Sequence, residues 1–165
     1  MNKEPIKAIA EIICHEMGIA QNRVFLFNDL RELPKDDGLF VVLDEKPFKP
    51  HGASLQYKEI NNVYTEVQTL NIKQIITISL ISKSNEARLR QYEAQMAMNS
   101  TYAQQCQETY GFHVSTTSPV QNRSFVEATA RLARFDTDVV VTTAIEKTQE
   151  VEYYSAKEYS SIFES

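Results

Sequence analysis

Apolar residues recur along this chain with two different periods, and the elements change where the period does. From residue 5 to 17, Ile6, Ile9, Ala10, Ile13 and Met17 follow the i, i+3, i+4, i+7 spacing of one helical face, and Gly18 supplies a stop. That spacing predicts an amphipathic first helix. Two short apolar runs follow, Val24-Phe25-Leu26-Phe27 and Leu39-Phe40-Val41-Val42-Leu43, separated by the turn-forming stretch 33–38. The second run predicts a buried strand, and the first a shorter strand or apolar linker. Between 44 and 54 the chain turns to Pro47, Pro50, His51 and Gly52. Proline donates nothing to a ladder, so this stretch is expected to be an extended, protruding loop rather than a central strand.

The strongest strand signal lies between 63 and 82, where Leu70, Ile72, Ile76, Ile78 and Leu80 alternate with Asn71, Lys73, Thr77 and Ser79. One face reads as core and the other as polar. Val63, Thr65 and Val67 extend the alternation upstream, through an expected bend near Asn71. Residues 82–86 offer capping side chains, and a helix over 87–98 would stack Leu89, Tyr92 and Met96 on one face. Asn99-Ser100 kinks that helix or caps another over 101–110, which Gly111 ends. A short strand at 112–115 and a loop at 116–124 precede a last long strand over 133–145. There Ala133, Phe135, Val139, Val141 and Ile145 face one side, while Arg134, Asp136, Asp138 and Thr142 face the other. Strands grouped around a helical pair predict an α+β fold: a largely antiparallel sheet with an N-terminal helix and a helical hairpin packed on one face.

The 165 residues suit one domain, and 42% hydrophobic residues with eight Tyr and eight Phe supply its core. Charge is unevenly placed. Residues 1–134 hold equal numbers of acids and bases, so the net charge of −5 comes from residues 135–165. Such a balance lacks the basic excess of a phosphate-gripping surface. Lys83, Arg88 and Arg90 form the one tight basic cluster, with Glu86 and Glu93 interleaved, and read as a solvated helix face. Charges among the first 17 residues exclude a signal-peptide core, and the uncharged run 74–82 is too short to span a membrane.

Candidate chemistry is sparse. His15, His51 and His113 sit in different elements, and neither they nor Cys14 and Cys106 show metal-ligand or disulfide spacing. Cys106 reads as a small helical core residue rather than a nucleophile. Asp136 and Asp138 share one side of a strand and could form a carboxylate pair, but a solvated face or a salt bridge between subunits is the plainer reading. Phe25, Phe27, Phe40, Phe112 and Phe135 are assigned to the core. Neither a cofactor nor an enzymatic activity is expected.

A likeness is carried by Glu66-Val67-Gln68-Thr69-Leu70-Asn71, the Ile-rich strand after it, the run from Ser82 to Glu93, Tyr110-Gly111-Phe112-His113-Val114, Arg134-Phe135 and Val151-Glu152-Tyr153-Tyr154. In these segments the chain resembles the neck-terminator and tail-terminator proteins of tailed bacteriophages. The resemblance covers about two thirds of the chain and rests on element order rather than on a catalytic signature. It implies a structural virion protein that forms a homo-oligomeric ring, commonly a hexamer. Such a ring caps the tail tube, ends its polymerisation and joins it to the head–tail connector or a head-completion protein. DNA would pass through without specific binding, and no membrane would be involved. The virion neck would be its final location and the host cytoplasm its place of assembly. On this reading Glu86, Arg88 and Arg90 pair across subunits, and Tyr153 and Tyr154 pack on a neighbouring ring. Asp136 and Asp138, or the acidic segment over 150–165, line the lumen. The alternatives are another neck or tail completion protein, or a small enzyme centred on Asp136 and Asp138 or on Cys106.

Overall fold

The structure, a computed structural model, describes residues 3–127 and 130–151. Helix α1 (Pro5–Met17) begins on a proline, which suits a position whose N–H has no helical partner, and closes on Gly18 in the left-handed conformation at φ 62°. A single 3₁₀ turn (Gln21–Arg23) leads into β1 (Val24–Leu26), which pairs in parallel with β2 (Phe40–Glu45). Then come β3 (Lys49–Ile60) and β4 (Val63–Ser82). The helical stretch is divided into α2 (Glu86–Leu89), α3 (Glu93–Met98) and α4 (Thr101–Tyr110). After these come β5 (Phe112–Thr117), the two-residue β6 (Gln121–Asn122), β7 (Phe125–Glu127) and β8 (Ala130–Glu150).

The sheet runs β1-β2-β4-β8-β5, with β3 also on β4 and with β6 and β7 on β8. Every pairing except β1 with β2 is antiparallel. The fold is therefore α+β, with a mostly antiparallel sheet and its helices gathered on one face. That face holds the main core: Ile9, Ile12 and Ile13 of α1 meet Ile76, Ile78 and Leu80 of β4, with Val139 and Val141 of β8 beside them. Ala94 and Ala97 of α3 and Ala103 of α4 are buried in the same cluster, where their small side chains let the helices lie close. A smaller cluster of Phe25, Phe40 and Ile81 covers part of the opposite face, its two rings edge to face at 6.1 Å.

Three local expectations are corrected. The expected loop over 44–54 is mostly strand, because β3 pairs with β4 from Lys49 to Ile60, and Pro50 is accommodated at a register shift on a strand with only one neighbour. The stretches on either side of Asn71 form one strand rather than two, since the ladder of β4 with β8 runs unbroken from Thr65 to Ser82; the irregularity near Asn71 falls on β3, between Pro50 and Gly52. Phe27 is exposed rather than core, because it lies one residue past the end of β1.

Candidate assembly surface

β4 and β8 are much longer than the body they cross. Their first and last turns of ladder, respectively, run beyond the helices and pair with β3 to make a three-stranded arm. The hairpin joining β3 to β4 turns on Asn61 and Asn62, both at positive φ (53° and 64°), as a two-residue turn of primed type requires. Asparagine tolerates this conformation better than most residues, and the turn fixes the register of every pair behind it.

That register sorts the arm into two unlike faces. Directly opposed residues point the same way, so Leu70 with Ala53 and Ile145, Gln68 with Leu55, and Glu66 with Tyr57 share the face that farther down carries Ile76, Ile78 and Leu80. The face that is core in the body thus continues along the arm after the helices have ended, with Glu59, Glu66, Gln68, Lys147 and Gln149 interspersed among its apolar residues. Leu55, Tyr57, Leu70 and Ile145 are exposed there, with the rings of Tyr57 and Tyr64 stacked at 5.8 Å. The other face presents Ser54, Gln56, Lys58, Glu146, Thr148 and Glu150, with Thr65 and Val67 buried between them in the central strand. Among the described residues, β3 has no strand on its outer edge, and β8 has none beside residues 144–150. Val151 stays tied to the tip, its N–H donating to the Tyr64 carbonyl at 3.0 Å.

A second exposed surface lies on the body. Leu89, Tyr92 and Met96 form the stripe that sequence spacing predicts, but the stripe points outward, at 77%, 59% and 69% exposure. The inward face belongs instead to Ala87, Ala94, Ala97 and Met98. The helix is also broken: Arg90, in the turn between α2 and α3, donates to the Met17 carbonyl and pairs with Glu93 at 2.6 Å and Glu86 at 3.5 Å. Glu86 in turn accepts from the Leu39 N–H at 2.9 Å. Both are therefore engaged within one chain. Arg88 is exposed and makes no ion pair among the described residues. It borders a cleft of about 600 Å³ with Lys83 and Arg131, whose other polar lining is amide and hydroxyl and includes no carboxylate.

Asp136 and Asp138 do share one face, as the strand period requires, but each has its own partners. Asp136 is buried and takes a two-pronged contact from Arg134, Nε to Oδ1 at 2.9 Å and Nη2 to Oδ2 at 3.1 Å, with Arg123 Nε at 3.5 Å. Asp138 accepts from the Thr77 hydroxyl at 2.6 Å and lies 3.5 Å from Lys46 Nζ. Residues so compensated act as ties across the sheet's second face. Tyr153 and Tyr154, and the acidic segment from 152 onward, lie outside the described residues.

The cysteines are not activated. Burial pushes both the Cys14 and the Cys106 thiol up, away from the thiolate a nucleophile needs. Beside them, Glu11 gathers Lys3 and the hydroxyls of Tyr102 (2.9 Å) and Tyr110 (3.3 Å), a polar clamp between α1 and α4. The Lys3 hydrogen bond holds the Glu11 carboxyl below its usual range. Among the described residues no three His, Cys, Asp or Glu side chains converge as a metal site, and no helix is long and apolar enough to cross a membrane. No protein-family model matches the chain, and no curated protein matches it in sequence.

Proposed function

We propose that this protein is a structural subunit of the tailed-phage neck, which assembles head to tail into a ring that caps the tail tube and joins it to the head connector. One observation carries the assembly half of this reading. The core face of the sheet runs out along the arm, where Leu55, Tyr57, Leu70 and Ile145 are left exposed beyond the helices that cover that face in the body. A patch of that kind marks an interaction site. The neck assignment rests on the sequence resemblance, with which a protein built of long ladder and exposed arm agrees. The virion is its place of function on this reading, its partners being copies of itself, the tube protein and the connector. DNA would pass the ring without sequence-specific contact.

The test is light scattering after size-exclusion chromatography, with the protein alone and with purified tail tubes, followed by electron microscopy of the mixture. Rings, or density at one end of the tubes, are expected. A protein that stays monomeric and ignores the tubes overturns the reading.

A further inference from the structure

The arm's exposed apolar residues call for a receptor, and charge separates two of the exposed apolar surfaces of the body. Glu59 lies opposite Tyr64 and Glu66 opposite Tyr57, so two carboxylates sit within the aromatic part of this face of the arm; among the described residues Lys147, opposite Gln68, is the one cation that shares the face with them. One apolar opening on the body lies between Phe27 and Phe48, but Glu4, Asp44 and Glu45 line it against Lys7, the single cation there among the described residues, which Glu4 already pairs at 2.8 Å. Like charge would meet like there. The cleft's Arg88 and Gln91 are the chain neighbours of Leu89 and Tyr92, so the cationic cleft and the exposed Leu89, Tyr92 and Met96 belong to the same helical segment.

We propose that this stripe, with the Lys83, Arg88 and Arg131 cleft beside it, receives the apolar face of the arm of a second copy, with Glu59 and Glu66 turned toward the cations. The inference rests on the assembly reading above and names the two surfaces that meet. The contact cannot be made within one chain. The cleft lies at the base of the ladder, where Ser82 pairs with Ala133, and Tyr64 is about 18 residues farther along β4, or about 60 Å away at roughly 3.3 Å per residue. Two unlike patches on one molecule give a head-to-tail contact, which closes into a ring where the rotation allows. Aromatic side chains and arginine are also the residues that most often dominate such contacts.

Cross-linking tests the placement. Two preparations are made in a Cys14→Ser background, one carrying Leu55→Cys on the arm and the other Met96→Cys on the stripe, and are mixed with a short bis-maleimide. The mixture is studied in whichever condition, alone or on tubes, the wild type assembles. The expected result is a covalent dimer in the mixture that neither preparation forms alone. In parallel, Arg88→Glu and Glu66→Arg each weaken self-association by about tenfold, and the two together recover part of the loss. Wild-type protein that assembles while the mixture gives no cross-link, and while Arg88→Glu assembles normally, overturns this docking but leaves assembly intact. Wild-type protein that never assembles removes both.

Discussion

Replacing Leu55 and Ile145 together by threonine removes apolar surface from the arm while keeping side chains that favour strands. The two residues are 54% and 55% exposed in the single chain, so about half of each side chain remains to be covered by a partner. Full burial of such a side chain is worth about 1.5–3 kcal/mol, which leaves roughly 1 kcal/mol apiece to be gained on assembly. Losing both costs about 2 kcal/mol per contact, a weakening of about 30-fold at about 1.4 kcal/mol per factor of ten. Sedimentation velocity over a concentration series reads this directly as a displaced midpoint of association. The control is Gln56→Thr with Glu146→Thr, on the opposite face of the same strands. It leaves the association midpoint within about twofold, because it takes no apolar area from the proposed contact. Thermal melting separates assembly from folding, since the main core lies below the arm and involves neither residue. If both double variants shift association equally, or neither does, the apolar face of the arm is not what holds copies together.

Asp136→Asn keeps the shape of a buried side chain but removes the charge that meets Arg134 and Arg123. Chemical denaturation of this variant is expected to show a loss of about 2 kcal/mol, the range for hydrogen bonds to a charged group. Ser100 caps α4 by accepting from the Ala103 N–H at 3.0 Å, so Ser100→Ala is expected to lower stability by about 1 kcal/mol in the same assay. The Glu11 carboxyl is held below its ordinary 4.5, chiefly by the Lys3 hydrogen bond, so its contribution is complete above that value and is lost as pH falls through the lower, folded one. Melting temperatures measured downward from pH 5 are therefore expected to fall more steeply for the wild type than for Glu11→Gln, and parallel curves would deny the clamp any role.

Where the side chains themselves state the direction of burial, the sequence was legible. Ile6, Ile9, Ile13 and Met17 are buried on α1 as their spacing requires, and the alternating residues of β4 and β8 lie on the predicted faces. The outward stripe on α2 and α3 was not legible, for a physical reason. A period shows that residues share a face but not which face is inside, and the alanines on the opposite side were small enough to accept α1 and the sheet in close contact. β3 was missed because two prolines and a glycine argued against a ladder, whereas an edge strand tolerates proline wherever no donor is needed. Asn61-Asn62, between residues that alternate on either side, was the signal that would have revealed the hairpin. The separation of Asp136 from Asp138 into two ion-paired ties depended on Arg123 and Lys46, which come from distant parts of the chain.

The boundary between body and arm falls within β4 and β8 and not at a linker. Gln74 sits there, buried, donating to Glu45 while its own side-chain oxygen finds no protein partner among the described residues, and burial pushes the Glu45 carboxyl up. Ile76, two residues on, is full core, and Ile72, two residues back, belongs to the arm. Because the ladder between β4 and β8 is continuous through this point, the arm inherits its direction from the packing beneath α1. Swinging it would mean bending a continuous ladder that β3 also joins, a stiffer deformation than that of a loop, which reorients by changing a few dihedral angles. An assembly built on such an arm therefore takes its geometry from the core of each subunit. On that basis, a cavity opened at Ile76 or Val139 would disturb how copies meet as well as how each one folds, although neither residue reaches a surface.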